Sequence, residues 1–214
     1  MKTYHKIQSV WLRDPENKYR TFLEGQWSIP EFQFLSNNRW IWTEKVDGTN
    51  IRVQWDGEKV RFGGRTERAS IPTFLLDRLQ DMFPPELMKD VFPDIKLDGP
   101  NIILCGEGYG NKIQKAGKNY NPEGVNFILF DVLYNERHYL ERASLLDIAL
   151  KLKIHRVPVV GQGTLTQAIE HVQAGFDSAW GAFKAEGLVL RPEVELCTRT
   201  GDRVITKIKA KDFE

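Results

Sequence analysis

The sequence predicts an α+β fold built mainly on antiparallel sheets. Three observations carry that expectation. Strand-like apolar runs dominate the chain. Strands and helical patterns do not alternate, which disfavours a Rossmann or barrel repeat of βαβ units. One long strand pattern folds back on itself at an Asp-Gly pair, the local chemistry of a hairpin.

The elements follow in chain order. RWIWTEKV (39–46) is a strand rich in aromatic and β-branched residues. NIRVQWDGEKVRFGG (50–64) is the hairpin, turning at Asp56-Gly57. Within it Ile51, Val53 and Trp55 alternate with Arg52, Gln54 and Asp56, the period of a half-buried strand. IPTFLLDRLQDMF (71–83) has helical spacing, with Pro72 in its first turn. NIILCGEGYG (101–110) and VNFILFDVLY (125–134) are strands. Between them GYGNKIQKAGKNYNPEG (108–124) reads as a long, Gly-rich, basic loop, and structureless loops of that length inside a domain are often functional. ERASLLDIALKL (141–152) and LTQAIEHVQAGF (165–176) are helices, the second with Thr164 or Thr166 as its N-cap. EGLVLRP (186–192) and DRVITKIKAK (202–211) close the series as strands. There is no internal repeat or low-complexity tract.

With 214 residues, 41% hydrophobic and 28% charged, the chain is long enough and apolar enough to fold around a core. Its 30 basic and 29 acidic residues leave a net charge of +1, so only a local basic patch can point to a nucleic acid. Cys105 and Cys197 fit neither a disulfide framework nor a metal spacing, and both are expected to be reduced and packed. No apolar run approaches the roughly 18 residues that span a membrane. The opening MKTYHKIQSVWLRD lacks the apolar centre of a signal peptide, so a cytoplasmic protein with no membrane partner is expected.

Several polar residues stand where chemistry is plausible. Lys45 precedes an Asp-Gly turn. It is either an ordinary turn lysine or a nucleophile, and a lysine amine, which ordinarily titrates at about pH 10.4, attacks only once uncharged. Arg65 follows a glycine pair, where a phosphate or ribose can approach. Glu107 sits between glycines at the polar end of an apolar strand, and Glu186 opens another strand. Asp131 lies inside an apolar run, where a carboxylate is costly unless paired. Phe130 beside it is either core or a platform for a base. Lys207, Lys209 and Lys211 repeat every two residues on one strand face. Such lysines repel unless an anion sits there, or else they guard an exposed sheet edge.

Taken in order, these segments resemble the covalent nucleotidyltransferase superfamily of polynucleotide ligases and capping enzymes. EKVDGTN resembles its motif I, RTERA motif Ia, CGEGYG motif III, FILFDV motif IIIa, EGLVLR motif IV and KIK motif V. Within the superfamily the chain is similar to ATP-dependent RNA ligases of the phage and bacterial nick-sealing type, through Thr49-Asn50, the setting of Arg65 and GEGYGNKIQKAGKNY. Asp47 stands where those ligases often have His, and Lys-x-Asp-Gly is the form found in DNA ligases. A small DNA ligase therefore stays open; a GTP-using capping enzyme is disfavoured by Asn50, and a catalytically silent nucleic-acid-binding module by the intact Lys45, Glu107, Glu186 and Lys207.

The resemblance implies an ATP-grasp-like nucleotidyltransferase domain over 1–214, with two mainly antiparallel sheets, flanking helices and no C-terminal OB or helical domain. It implies that Lys45 takes AMP from ATP, passes it to a 5′-phosphate end, and that a 3′-hydroxyl then displaces AMP, with RNA favoured. Lys207 and Lys209, or Lys209 and Lys211 in the alternative register, would neutralise phosphate charge, and Glu186 would hold Mg²⁺ or Mn²⁺. Glu44 would meet the adenine amino group, Phe130 and Val189 its two faces, Glu107 the ribose, and Asn50 and Arg65 ribose or phosphate. Asp131 would orient the lysines, and all these residues would converge on an adenosine pocket. Lys112, Lys115 and Lys118 would contact nucleic-acid phosphates, and a monomer is expected.

Overall fold

The structure, a computed structural model, describes residues 1–213. In chain order the elements begin with β1 (Gln8–Ser9), β2 (Trp11–Arg13), β3 (Phe22–Trp27), α1 (Pro30–Phe34) and β4 (Trp40–Glu44). They continue with β5 (Thr49–Trp55), β6 (Val60–Gly63), α2 (Thr73–Met82), α3 (Pro85–Val91) and β7 (Ile102–Gly110). Next come α4 (Gly117–Tyr120), β8 (Val125–Tyr134), β9 (His138–Tyr139), α5 (Arg142–Leu152) and β10 (His155–Arg156). The last are β11 (Val159–Gly163), α6 (Leu165–Ala174), β12 (Gly187–Pro192) and β13 (Thr206–Lys209), then a 3-10 turn at Ala210–Asp212. The α+β class and the mainly antiparallel sheets agree with the expectation. The chain forms two compact units, one of Met1–His5 with Asp47–Val157, the other of Lys6–Val46 with the residues from Pro158 onward.

The first unit is a six-stranded sheet in the order β10-β8-β7-β5-β6, with β9 on β8. Only β10 runs parallel to its neighbour. Its hairpin turns at Asp56-Gly57, where Asp56 Oδ1 accepts from the N–H groups of Glu58 and Lys59 at 3.0 and 2.8 Å. Leu75 and Leu79 of α2, and Leu145, Ile148 and Leu152 of α5, recur at helical spacing and bury one stripe against Ile51, Val53, Leu104 and Leu129 of the sheet. Phe83 meets Phe127 edge-on at 5.4 Å, a geometry worth about 1 kcal/mol beyond burial.

Two expectations are corrected here. β5 is not half-buried: Arg52 and Gln54 are 2% and 6% exposed, as enclosed as the apolar residues between them. The amino-terminal segment accounts for it. The Arg52 guanidinium donates to the carbonyls of Gly64 at 2.7 Å, Met1 at 3.0 Å and Lys2, so Met1–His5 covers what would otherwise be the wet face. The stretch 108–124 is not a structureless loop either. β7 runs through Gly110, α4 forms a helical turn, and Tyr109 and Tyr120 are buried edge-to-face 6.2 Å apart.

The second unit is a five-stranded sheet in the order β1-β13-β12-β4-β11, with a β2-β3 ribbon. β1 pairs parallel to β13 and the other neighbours are antiparallel. Leu165, Ala168, Ile169 and Val172 of α6 pack on Trp40, Trp42, Leu188, Leu190 and Ile208. Thr164, not Thr166, is the N-cap of α6, in a reciprocal capping box with Gln167. The last strand is shorter than expected, so Lys211 falls in the turn after β13 and not on the face of Lys207 and Lys209. Cys105 is buried, but Cys197 is an exposed free thiol and not a packed one. No helix among the described residues is long and apolar enough to cross a membrane.

Arg52→Ala is expected to strand one buried carbonyl acceptor, that of Gly64, and two partly buried ones, those of Met1 and Lys2, and to lower the unfolding free energy by about 2 kcal/mol, measured by urea denaturation. An unchanged midpoint would show that the amino-terminal segment does not depend on this side chain.

Candidate active site

In the second unit the candidate nucleophile is held by strand register. Lys45 follows the last residue of β4, and its N–H donates to the Gly187 carbonyl at 2.9 Å, beside the start of β12. Glu186 immediately precedes that strand, and its carbonyl accepts from the Ala210 N–H at 3.0 Å. Across β12 and β13, Gly187 stands opposite Lys209. Gly187 has φ +149°, and a Cβ there would collide with the Ile208 carbonyl oxygen, so only glycine lets the strands close at this point. The outcome is one carboxylate shared by two ammonium groups. Lys45 Nζ lies 2.6 Å from Glu186 Oε2, and Lys209 Nζ lies 2.6 Å from Oε1. All three side chains are a fifth or less exposed, 20% for each lysine and 16% for the glutamate, which strengthens the pairing over a surface one.

Glu44 is 1% exposed. Its Oε1 accepts from the Ser178 hydroxyl at 2.6 Å and its Oε2 from the Ala179 N–H at 2.8 Å. Burial pushes its pKa above the ordinary glutamate value, and the two hydrogen bonds only partly offset that. Val189 lies half-buried in β12, with Thr43 of β4 and Lys207 of β13 as its neighbours in register.

The remaining candidates belong to the first unit. Asn50 of β5 stands opposite Glu107 of β7. Gly48 permits that approach, since a Cβ there would lie 2.7 Å from Glu107 Cγ. Asn50 Oδ1 is buried with no hydrogen-bond partner among the described residues. Between β7 and β8 the register slips: Cys105 pairs with Asp131 and Gly106 with Leu129, so Phe130 is the extra residue of a β-bulge. The bulge shifts the alternation by one residue, so that Leu129 and Val132 both join the core, and Phe130 lies half-exposed between buried Leu129 and Asp131. Asp131 is fully buried and accepts from the Tyr4 hydroxyl at 2.6 Å, and the Tyr4 ring meets Phe130 at 5.1 Å. Arg65 is exposed, just after the Gly64 carbonyl that Arg52 holds, and forms no ion pair among the described residues. Lys112, Lys115 and Lys118 are all exposed around α4, and the stretch is tied down where Gln114 Nε2 donates to the Gly48 carbonyl at 3.2 Å.

Among the described residues no group of three His, Cys, Asp or Glu side chains is placed to cage a metal. A lone carboxylate such as Glu186 suits a cation held largely by water and phosphate oxygens, the habit of Mg²⁺. The orphaned Asn50 oxygen suits a hydroxyl donor.

A family model described as RNA ligase matches residues 38–209. The chain belongs to the RNA ligase family. Its fold is also that of Naegleria gruberi RNA ligase. A mutant of that ligase with ATP and Mn aligns at a TM-score of 0.66 and 18% identity, covering 98% of this chain and 56% of the other. The same ligase with PPi aligns at 0.65 and 19% over 98% and 56%, and a mutant with AMP and Mn at 0.62 and 18% over 95% and 56%. This RNA ligase family chain thus spans just over half the length of those solved chains. No curated protein sequence matches it. Sequence reasoning missed Ser178 and Ala179 as partners of Glu44, and Tyr4 as the partner of Asp131. None lies within ten residues of the group it serves, and no motif marks it.

Glu44 gives a pH signature. Its folded-state pKa is raised, so its contribution to stability is full below the unfolded value, about 4.3, and is lost as pH rises through the folded value. The stability of wild type relative to Glu44→Gln is expected to fall from about pH 4.3 upward, read from urea midpoints across pH. Parallel curves would mean that burial leaves Glu44 unperturbed.

Proposed function

We infer that the chain is an ATP-dependent RNA ligase that works through a covalent lysyl-AMP on Lys45. The observation that carries this reading is the shared carboxylate, with Lys45 and Lys209 both on Glu186 at 2.6 Å. An ammonium bound to a carboxylate has no lone pair to offer, so the Lys45–Glu186 pair must part and the proton leave before attack. The Lys45 nitrogen then forms a bond to the α-phosphorus of ATP as the bond to pyrophosphate breaks. Lys209 and Lys207, fixed on one strand, face the charge that develops on the phosphates without having to reorganise. AMP next passes from Lys45 to a 5′-phosphate, breaking the P–N bond, and a 3′-hydroxyl finally attacks that end and expels AMP. Mg²⁺ or Mn²⁺ on Glu186 supplies positive charge to the phosphates when bound. The Naegleria structures with ATP and Mn, with AMP and Mn, and with PPi support this choice of cofactor.

In this reading Asn50 Oδ1 accepts from a ribose hydroxyl, and Glu107 opposite it takes another. By the family resemblance Phe130 would cover one face of the base and Val189 the other. Glu44 uses its remaining lone pairs for the adenine amino group, and Arg65 meets a phosphate. Asp131 acts as a positioning residue, holding Tyr4 against Phe130. The exposed lysines 112, 115 and 118 touch nucleic-acid phosphate, with RNA preferred on the 3′-hydroxyl side. The free cysteines support a reducing, cytoplasmic setting. A monomer is proposed, as expected from the sequence.

Incubation with α-labelled ATP and Mg²⁺ is expected to leave label on the denatured protein, released by acid as a phosphoramidate would be, and Lys45→Ala to abolish it. Label that persists in Lys45→Ala rejects Lys45 as the nucleophile. Changing Lys112, Lys115 and Lys118 together to Ala is expected to slow sealing of a nicked RNA while leaving labelling intact. Equal loss in both steps, or loss in neither, removes those lysines from nucleic-acid binding. Faster sealing of an all-DNA nick would assign the chemistry to DNA.

A further inference from the structure

A basic groove of about 690 Å³ opens on the second unit, walled by β1, the β2-β3 ribbon and its loop, and β13 with the turn after it. Six cations line it: Lys6, Arg13, Arg20, Lys207, Lys209 and Lys211. The lining has one carboxylate, Asp212, which is already bound to Arg13 at 2.7 Å and accepts from the Lys209 N–H at 3.3 Å. The whole chain is nearly neutral at +1, so this is a local concentration of charge and not a reflection of composition. Lys6, Arg20 and Lys211 are exposed and have no ion pair among the described residues. Like charges gathered without a counter-charge raise the energy of the surface until an anion arrives.

The second observation is an aromatic side chain held into the same groove. Tyr19 is 62% exposed and lines it. Lys18 and Tyr19 have φ of +53° and +60°, left-handed values that non-glycine residues rarely adopt. The loop is locked in that shape. The Tyr19 N–H donates to the Asp14 carbonyl at 2.8 Å, the Asp14 N–H to the Thr21 carbonyl at 3.0 Å, and Arg13 Nη1 to the Tyr19 carbonyl at 3.3 Å. The chain thus sustains backbone strain while presenting a large ring to solvent among cations. A pyrophosphate or a triphosphate tail has no use for such a ring. A nucleic-acid strand does, because every base has a face to stack and every linkage a phosphate to neutralise.

We propose that this groove binds a single-stranded segment of the RNA substrate, with its phosphates along Lys6, Arg20 and Lys211 and a base on Tyr19. The proposal rests on the RNA ligase reading and adds to it the surface that takes the strand. Lys209 belongs both to the groove and to the pairing on Glu186, which in turn holds Lys45. A strand lying in the groove therefore runs to the side chain that carries AMP, where a 5′-phosphate end is needed.

The test uses the full chain and a fluorescein-labelled, 5′-phosphorylated oligoribonucleotide, with affinity read by anisotropy at several salt concentrations. Labelling from α-labelled ATP is measured in parallel. The double change Lys6→Ala with Arg20→Ala is expected to weaken binding and to flatten the slope of log K against log salt by about 1.4, roughly 0.7 for each lost phosphate contact on a single strand. Tyr19→Ala is expected to weaken binding by about 5-fold or more with the slope unchanged, and Tyr19→Phe to bind as wild type, since stacking needs the ring and not the hydroxyl. Labelling should stay at the wild-type level in all three. RNA affinity and salt slope that do not change in the double variant overturn the groove. So does labelling that falls in step with RNA binding, which would give the groove to the phosphates of ATP. Wild-type protein that binds RNA through these residues but takes no label from ATP would leave the groove standing and sink the ligase reading instead.

Discussion

The carboxylate of Glu186 is the fixed point of the five-stranded sheet. It accepts Lys45 on one oxygen and Lys209 on the other, and the two lysines arrive from different strands. Their ammonium groups, left alone and half-buried, would repel. The carboxylate turns that repulsion into a constraint on register, because β4, β12 and β13 must align for both lysines to reach it. Backbone groups are arranged to the same end: Lys45 N–H on the Gly187 carbonyl, Ala210 N–H on that of Glu186, and a glycine where a side chain would hold the strands apart. Partly buried ion pairs add little net stability once desolvation is counted. An apolar trio would hold these strands as well. What the charged trio provides is an amine and a cation at defined positions, and a carboxylate that can be drawn away from them.

The six-stranded sheet solves a different problem. A polar set, Arg52, Gln54 and Asp131, is buried on β5 and β8. A short segment from the far end of the sequence meets much of that demand. Met1 and Lys2 offer carbonyls to Arg52, and Tyr4 offers its hydroxyl to Asp131. The same tyrosine ring flanks Phe130, so the satisfaction of a buried acid and the placing of a half-exposed aromatic are one event. The β-bulge makes this compatible with a strand, because Leu129 and Val132, three residues apart, both join the core while the two residues between them, Phe130 and Asp131, both meet Tyr4.

Period and turn chemistry made the long elements readable in advance. β5 to β8, α2, α5 and α6 each offer enough residues for alternation or a helical stripe to show, and Asp56-Gly57 marks its own turn. The short pieces escaped. β1, β9 and β10 have two residues each, too few for any period, and exist only through pairing with a distant partner. The alternation in β5 was real, but it reports which side chains share a face and not whether that face is wet. Covering it required knowing where Met1–His5 would dock. The order of motifs singled out Lys45, Glu186 and Lys209, and the structure brings these three together. The partners that fix the candidates, such as Ser178 for Glu44 and Tyr4 for Asp131, lie 134 and 127 residues away along the chain. Only tertiary packing relates them.

The lysines of the final segment show why composition alone stops short of chemistry. Lys207, Lys209 and Lys211 read as equivalent, spaced by two on one strand. The chain leaves the strand at Ala210, and that one change of backbone separates them. Lys209 is held on Glu186 at low exposure, whereas Lys211 is exposed without an ion pair among the described residues. A cation already fixed can stabilise charge that develops in a reaction, since nothing must reorganise at that moment. A solvated cation contributes mainly by releasing counterions from a polyanion, a term that salt erodes. On the proposed reading a short basic run thus serves two purposes, holding phosphate chemistry at one end and gathering a strand at the other, and the boundary between them is set by where a β-strand ends.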